Sequence, residues 1–417
     1  MTMSAPEEVA WARDFITKIV AACPKRMPTS DDERRAHAMI RTEMETLGLE
    51  TEVHDFTFNR DLYATLALHF GLGALGSFVA SRSPLLGFAL HAGSAASYAL
   101  DSSHKAMILR RLFPFRPSQN VIGTMRAEGK PRQRFVFLAH TDAAFTGKVF
   151  DPAFVKHFGA KPGPLYKSLR VTTGALAALA ALDLVELTGR RSPAISALRA
   201  ILTIPTFVAA ALNADVVRRG EIVPGAMDDL SGVAGMLLLA KRLRAVKPRD
   251  VELVFVATGC EEAGLGGARA LAKDRAETWS KDDTVIIGLD GLANGDLCWF
   301  EEGEIFEVPL ADRLESELKK TTASSSRFAE VAAFPIPVGG TDAIPFAIAG
   351  WPAVTLGCVD RTRSMPRHYH WPTDTPENLE ADKIPFCVDF AESLTTSLWA
   401  TAASHPSVSD GAVRPAS

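Results

Sequence analysis

Histidine and acidic side chains follow apolar runs at three places in the chain. His140 and Asp142 come directly after RFVFLA, the pair Glu261-Glu262 follows VELVFVAT, and Asp290 ends VIIGLD. Imidazole nitrogens and carboxylate oxygens are zinc ligands, and a carboxylate beside a bound cation can serve as a general base. Because α/β folds place ligand sites at the carboxyl ends of strands, we expect these side chains to meet at one edge of a sheet.

Two further segments carry candidate ligands. GAMDD places Asp228 and Asp229 before an amphipathic helical pattern at 229–246, where either carboxylate can cap the helix and either can bind a cation. The proline-rich segment RHYHWPTDTPENLE contains His368 and His370. Each motif taken alone also has an ordinary structural role, such as a helix cap, an acidic first turn or a surface histidine. The residue types by themselves leave these alternatives open.

Strand and helix patterns alternate along much of the chain. Strand patterns lie at 49–58, 120–123, 134–140, 251–258, 284–291, 328–337 and 352–357. Amphipathic helical patterns lie at 8–23, 31–47, 229–246 and 382–403. This alternation predicts an α/β fold with helices on both faces of the sheet.

Composition excludes several classes of protein. The 417 residues include 45 Lys and Arg against 49 Asp and Glu, and a net charge of −4 argues against a nucleic-acid partner. Five cysteines without a CxxC pair favour reduced thiols over a disulfide framework. The first fifteen residues, MTMSAPEEVAWARDF, lack the pattern of a signal peptide. We therefore expect a cytoplasmic protein that does not bind nucleic acid.

The order of the motifs is more specific than any one of them. HxD, GAxD, EExGLxG, a strand ending in Asp and YHxPxDTxEN together resemble the M28 family of di-zinc metallopeptidases, over roughly 10–57, 119–145 and 220–403. The resemblance implies a three-layer αβα fold with a central mixed, mostly parallel sheet. It also implies two zinc ions per chain and a non-proline cis peptide bond at Asp228–Asp229. The segment Thr341-Asp342 departs from the family pattern, because Ala343 stands where the family often has histidine.

The same resemblance implies a role for each site residue. Asp228 would bridge the two metals, with His140 and Asp290 completing one ligand set. Glu262 and His370 would complete the other, and Tyr369-His370-Trp371-Pro372 matches the family segment that selects His370 over His368. As catalytic residues, Glu261 would be the general base and Asp142 would orient His140.

The function implied is that of a zinc-dependent exopeptidase, in the first place an aminopeptidase acting on peptide or aminoacyl substrates. A carboxypeptidase or an N-acyl amino-acid hydrolase is the alternative, and it would need a cationic pocket for the substrate carboxylate. Arg361, Arg363 and Arg367 precede His370 and are candidates for that pocket. A glutaminyl cyclase or an inactive peptidase-like receptor fits less well, because no ligand of the five is missing.

Two apolar segments, 62–102 and 171–216, lie outside the family pattern. Each is predicted to form a helical hairpin inserted into a peptidase domain made of 1–61, 103–170 and 217–404, with a disordered tail at 405–417. Asp183, Glu186 and Arg199 interrupt the second segment, and charges are costly in lipid. We therefore expect a soluble helical subdomain that can form a homodimer contact, with membrane anchoring through both hairpins as the alternative.

Overall fold

The computed structural model describes residues 3–153, 168–303, 305–336 and 339–404, and the tail expected at 405–417 lies outside them. Its centre is an eight-stranded sheet in the order β1-β2-β4-β3-β5-β8-β6-β7. The strands are β1 (Glu50–Phe58), β2 (Arg116–Met125), β3 (Gln133–His140), β4 (Val251–Thr258), β5 (Thr284–Leu289), β6 (Asp296–Glu301), β7 (Ala332–Pro335) and β8 (Ala353–Val359).

The middle of this sheet is parallel. β3 pairs in parallel with both β4 and β5, and β5 pairs in parallel with β8. The pairs β1–β2, β2–β4 and β6–β8 are antiparallel, and β6–β7 is parallel. The central strands are apolar on both faces, which is expected where helices cover a parallel sheet.

The described helices are α1 (Ala5–Ala22), α2 (Asp31–Thr46), α3 (Leu62–Ala80), α4 (Pro84–Ser102), α5 (Ser168–Leu187), α6 (Pro193–Arg219), α7 (Leu230–Val246), α8 (Gly266–Asp274), α9 (Asp312–Ala323), α10 (Ile344–Ile348) and α11 (Lys383–Ser404). Short 3-10 turns lie at Leu109–Leu112, Lys148–Phe150, Ser326–Phe328 and Pro376–Asn378.

Helices cover both faces of the sheet. On one face, α1, α2, α7, α9 and α11 bury a large apolar core that includes Ile16, Ile40 and Leu237. On the other face, α8 and α10 contribute Leu271 and Phe346 to a second core. The arrangement is the three-layer αβα fold with a mixed sheet that the sequence predicts.

Helices α3 to α6 pack against one another as a bundle of two hairpins. The first hairpin matches the apolar segment 62–102, and the second extends three residues beyond 171–216 at each end. Phe70 of α3, Tyr98 of α4 and Leu176 of α5 share a buried cluster. A Cβ added to Gly73 of α3 would collide with Leu176, so the small residue permits close contact between the helices.

Both hairpins of this bundle reverse direction at the same end. Arg191 Nη1, in the turn between α5 and α6, donates a hydrogen bond to the main-chain oxygen of Ser81, in the turn between α3 and α4, at 3.3 Å. The two turns are therefore adjacent, and the other ends of the four helices connect to the αβα domain.

Candidate metal centre and active site

Parallel strands bring the predicted site residues to one edge of the sheet. His140 is the last residue of β3, Asp290 follows β5, and the pair Glu261-Glu262 follows β4 by way of Gly259 and Cys260. Because β4, β3 and β5 are adjacent and parallel, their carboxyl ends lie side by side. One cavity at this edge is lined by His140, Asp228, Glu261, Glu262, Asp290 and His370, together with Met227, Tyr369 and neighbouring residues.

Asp228 lies between the two histidines. Its Oδ1 is 3.0 Å from Nε2 of His140, and its Oδ2 is 3.1 Å from Nε2 of His370. Glu262 Oε1 is 3.3 Å from the same nitrogen of His370. Each oxygen of the Asp228 carboxylate therefore faces a different imidazole, which is the placement that a bridging ligand requires.

Two groups of ligand atoms among the described residues are compact enough to hold a cation. The ligand atoms of His140, Asp228 and Glu262 all lie within 4.8 Å of one another, and so do those of His140, Asp229 and Asp290. The second group contains Asp229 where the predicted set has Asp228. However, the Asp229 carboxylate already accepts hydrogen bonds from the main-chain N–H groups of His140, Gly232 and Gly291, at 3.1, 2.9 and 2.9 Å.

Several buried polar atoms in this cluster lack hydrogen-bond partners. Asp228 Oδ2 and Glu262 Oε1 approach His370 without hydrogen-bonding geometry, and His370 Nδ1 is also unpaired. Buried polar atoms are normally satisfied, so unpaired oxygens directed at one cavity fit a cation. Imidazole and carboxylate donors in this mixture suit zinc.

The pKa shifts in the cluster also favour a bound cation. Burial, followed by the negative charge of Asp228, raises the pKa of Asp290 to about 8. Burial likewise raises the pKa of Glu261 well above its usual value. Burial lowers the pKa of His370, but the Glu262 and Asp228 carboxylates outweigh it and raise that pKa to about 10. The crowded carboxylates thus favour bound positive charge, which protons or a divalent cation can supply.

Asp142 contacts both His140 and the glutamate pair, but its carboxylate is not the group that faces the His140 ring. His140 Nδ1 is 3.1 Å from the main-chain oxygen of Asp142 and 3.8 Å from its carboxylate. That carboxylate instead accepts hydrogen bonds from the main-chain N–H groups of Glu261 and Glu262, at 3.1 and 3.0 Å. The Asp142 side chain therefore fixes the loop that carries the two glutamates, and its main-chain oxygen faces the ring of His140.

Two residues that the sequence did not single out for this purpose hold Asp228 in place. Asp229 is the N-cap of α7, through its hydrogen bond from Gly232, so the capping role belongs to Asp229 and leaves Asp228 free. Asp374 accepts hydrogen bonds from the main-chain N–H groups of Met227 and Asp228, at 2.7 and 3.2 Å. The Asp228–Asp229 peptide bond is cis, as the resemblance implies. Asp374 belongs to the PTDTPEN segment, but its partners are about 146 residues away in sequence.

Aromatic rings surround His370. The Tyr369 ring stacks on it at 3.9 Å, and the Phe150 ring lies 4.4 Å away. Tyr63 of α3 packs edge-on against Phe150 at 6.3 Å, so the helical bundle reaches the wall of the site. His368 instead contacts Thr373 Oγ1 at 2.7 Å outside the cavity, and His370 is the histidine that enters it.

The three arginines that could serve a substrate carboxylate are engaged elsewhere. Arg367 pairs with Glu380 and Asp360, at 2.5 and 3.3 Å. Arg361 donates a hydrogen bond to the main-chain oxygen of Glu330 at 2.6 Å, and Arg363 lies 3.8 Å from Asp360. None of these arginines is among the described residues that line the cavity.

Part of the chain matches a known protein family. Residues 212–394 match the family model described as Peptidase family M28. Aminopeptidase YwaD of Bacillus subtilis is 29% identical over 166 residues, which are 39% of this chain and 35% of that protein. The chain thus spans about a quarter to a third of the length of the curated relatives it matches.

Solved structures share the fold at low sequence identity. A zinc aminopeptidase from Bacillus subtilis superposes with a TM-score of 0.57 at 13% identity, covering 95% of this chain and 96% of that one. A glutaminyl cyclase from Fimbriiglobus ruber superposes with a TM-score of 0.54 at 14% identity, covering 94% and 96%. The match of residues 212–394 to the model of peptidase family M28 agrees with the family that the motif order indicates, and the solved structures share the fold.

Proposed function

We propose that this protein is a zinc-dependent exopeptidase, specifically an aminopeptidase that binds two zinc ions per chain. The observation that carries the proposal is the position of Asp228, whose two carboxylate oxygens face His140 and His370 separately. His140, Asp228 and Asp290 would hold one ion, and Asp228, Glu262 and His370 the other. Bound zinc would polarise the scissile carbonyl and lower the pKa of a water molecule.

Glu261 is the proposed general base. Its carboxylate lines the cavity and its Oε2 is 3.9 Å from Nε2 of His140, yet it belongs to neither compact group of ligand atoms among the described residues. It would take a proton from the attacking water and deliver it to the leaving amine.

The charge around the site supports an aminopeptidase over a carboxypeptidase. Carboxylates dominate the cavity and can bind the positively charged α-amino group of a peptide. Arg361, Arg363 and Arg367, the candidate partners of a substrate carboxylate, make their contacts outside it. A free amino terminus is therefore the substrate feature that this site is proposed to select.

A larger cavity adjoins Glu262 and His370. Its volume is about 810 Å³, and its wall includes apolar side chains from the helical bundle and from the loops beside the site, namely Leu62, Leu66, Val208, Leu212, Phe306 and Ile344. Ligand sites that are concave and mainly apolar bind apolar groups. The proposed substrate therefore carries a large apolar residue at or near its amino terminus.

The test is a substrate panel on purified protein of measured metal content. Leucyl and phenylalanyl chromogenic substrates should be hydrolysed, whereas their N-acetylated forms should not. Cleavage of the N-acetylated forms at equal rate would replace the aminopeptidase proposal by an N-acyl hydrolase. Release of ammonia from a glutaminyl peptide, without hydrolysis of the leucyl substrate, would indicate a glutaminyl cyclase instead.

A further inference from the structure

The helical bundle exposes apolar residues and buries polar ones. In α3, α4 and α5, every exposed residue is apolar or glycine; the large ones are Leu75, Phe78, Leu85, Leu86, Val171, Leu184, Val185 and Leu187. The same holds in α6 from Ala197 to Val217, where Ile201, Ile204 and Phe207 are each about 60% exposed. These residues, taken together, are called the apolar belt. A water-soluble bundle shows the opposite pattern.

Asp183, Glu186 and Arg199, the charged residues between the ends of the bundle, lie inside it. Arg199 Nη2 of α6 is 3.0 Å from Asp183 Oδ1 and 3.1 Å from Glu186 Oε2, both on α5. His91 Nδ1 of α4 is 2.6 Å from Asp183 Oδ2. All four side chains are buried. Ionisable residues in membrane-spanning helices are rare, face the bundle interior and pair with one another. The charges that seemed to oppose membrane insertion therefore do not face the bundle's surroundings.

The lengths of the helices fit the thickness of a lipid bilayer. α3, α5 and α6 are each long and apolar enough to cross a membrane. With 19, 20 and 27 residues they span about 28, 30 and 40 Å at 1.5 Å per residue, against a hydrocarbon thickness of about 30 Å. α4 also has 19 residues but is not one of the three helices that are apolar enough to cross a membrane by themselves. Its polar residues His91, Ser94 and Ser97 are buried.

Charged residues bound the apolar belt at both ends. Exposed Arg82, Arg190 and Arg191 lie in the two adjacent turns at one end. At the other end Asp101, at the end of α4, pairs with Arg110 at 2.6 Å and with Arg269 of the αβα domain at 3.2 Å. An apolar belt between two charged rims is typical of a membrane-embedded segment.

We propose that α3–α6 form a membrane-spanning four-helix bundle, which holds the peptidase domain at the surface of a lipid bilayer. A second copy of the chain is the other candidate to cover the belt. A two-fold dimer buries one patch on each subunit, whereas all four helices expose apolar residues. Small residues at the helix contacts, such as Gly73 and Gly87, also match the packing of helices in lipid.

The first test is fractionation of cells that express the full chain. The protein should remain in the membrane pellet after an alkaline carbonate wash and should enter solution only with detergent. Release by the carbonate wash, or recovery as a monomer or dimer without detergent, would overturn the proposal. Peptidase activity is measured separately in each fraction, so that failure of the anchor and failure of the proposed chemistry are distinguished.

The second test locates the belt in lipid, using single cysteines at exposed positions. The native cysteines are all buried, which keeps background labelling low. Phe78→Cys, Leu86→Cys, Leu184→Cys and Ile204→Cys sample the four helices, and Arg190→Cys samples the charged turn. In permeabilised membranes a polar maleimide should label only Arg190→Cys, and denaturation in detergent should expose all five. Labelling of any belt position as strongly as Arg190→Cys would contradict a bilayer, and protection on one side only would indicate a dimer.

Discussion

The carboxylate of Asp142 accepts a hydrogen bond from the main-chain N–H of Glu262 at 3.0 Å. It accepts a second from Glu261 at 3.1 Å, so one buried side chain fixes the backbone of both glutamates. This contact joins the end of β3 to the loop after β4, and it positions the proposed base relative to the proposed ligand.

Replacing Asp142 by Asn should lower kcat by about 10- to 100-fold, the usual effect of removing a partner of metal ligands. The Asn amide oxygen can accept a hydrogen bond from only one of the two main-chain N–H groups, and the amide NH₂ would face the other. KM should change little, because Asp142 is not among the described residues that line the cavity. Measuring kcat and KM separately, with metal content, checks this; a change in KM alone would contradict the positioning role.

The two adjacent glutamates should respond differently to the same substitution. Glu261→Gln should reduce kcat by about 10²- to 10⁴-fold, the range for loss of a general base, with metal content retained. Glu262→Gln should lower metal content, because Glu262 is a proposed ligand. Metal analysis and turnover of both variants provide the comparison. Loss of metal in Glu261→Gln, with retention in Glu262→Gln, would mean that the roles are exchanged.

Removing metal should abolish turnover and also weaken the fold. Without a cation, Asp228, Glu262 and Asp290 crowd negative charge in a buried site, and a ligand that binds only the native state stabilises it by mass action. Treatment with a chelator should therefore lower Tm as well as activity, and added zinc should restore both. A Tm unaffected by chelator and zinc, together with chelator-resistant turnover, would exclude the proposed metal centre.

Arg199 should matter for stability rather than for catalysis. Arg199→Ala leaves Asp183 and Glu186 buried without their cation, and breaking a buried ion pair costs about 3–5 kcal/mol. The matched control is Arg191→Ala at the exposed turn, which should change stability by no more than about 0.5 kcal/mol. Thermal unfolding of detergent-solubilised protein measures the difference. Equal Tm values for the two variants would contradict the internal pairing of these charges.

Local sequence predicts the central elements well, because their patterns are strong. The helical pattern at 229–246 corresponds to α7 at Leu230–Val246, and the strand pattern at 251–258 to β4. Motif order also indicates the family, since each motif follows a strand or precedes a helix of the sheet. However, strand β6 and helix α9 are not among the elements predicted from the sequence.

Long-range contacts account for what local patterns did not reveal. β2 begins at Arg116, although the predicted strand begins at 120, because polar Ser118 becomes buried by donating a hydrogen bond to Glu33 at 2.8 Å. The role of Asp374 likewise depends on a main-chain partner far away in sequence. In the sequence alone, the charges of Asp183 and Arg199 count against a membrane-spanning segment. The structure pairs these two side chains across two helices, and the sequence does not reveal that pairing.

The shared location of the two hairpin turns constrains how the enzyme is assembled. Both hairpins, α3–α4 and α5–α6, return the chain to the side from which it left. The second hairpin lies in the chain between β3 and its sheet neighbours β4 and β5. The middle of the sheet can therefore form only after both hairpins have been synthesised. His370 lies later still in the chain, so a partly synthesised chain lacks one of the proposed metal ligands.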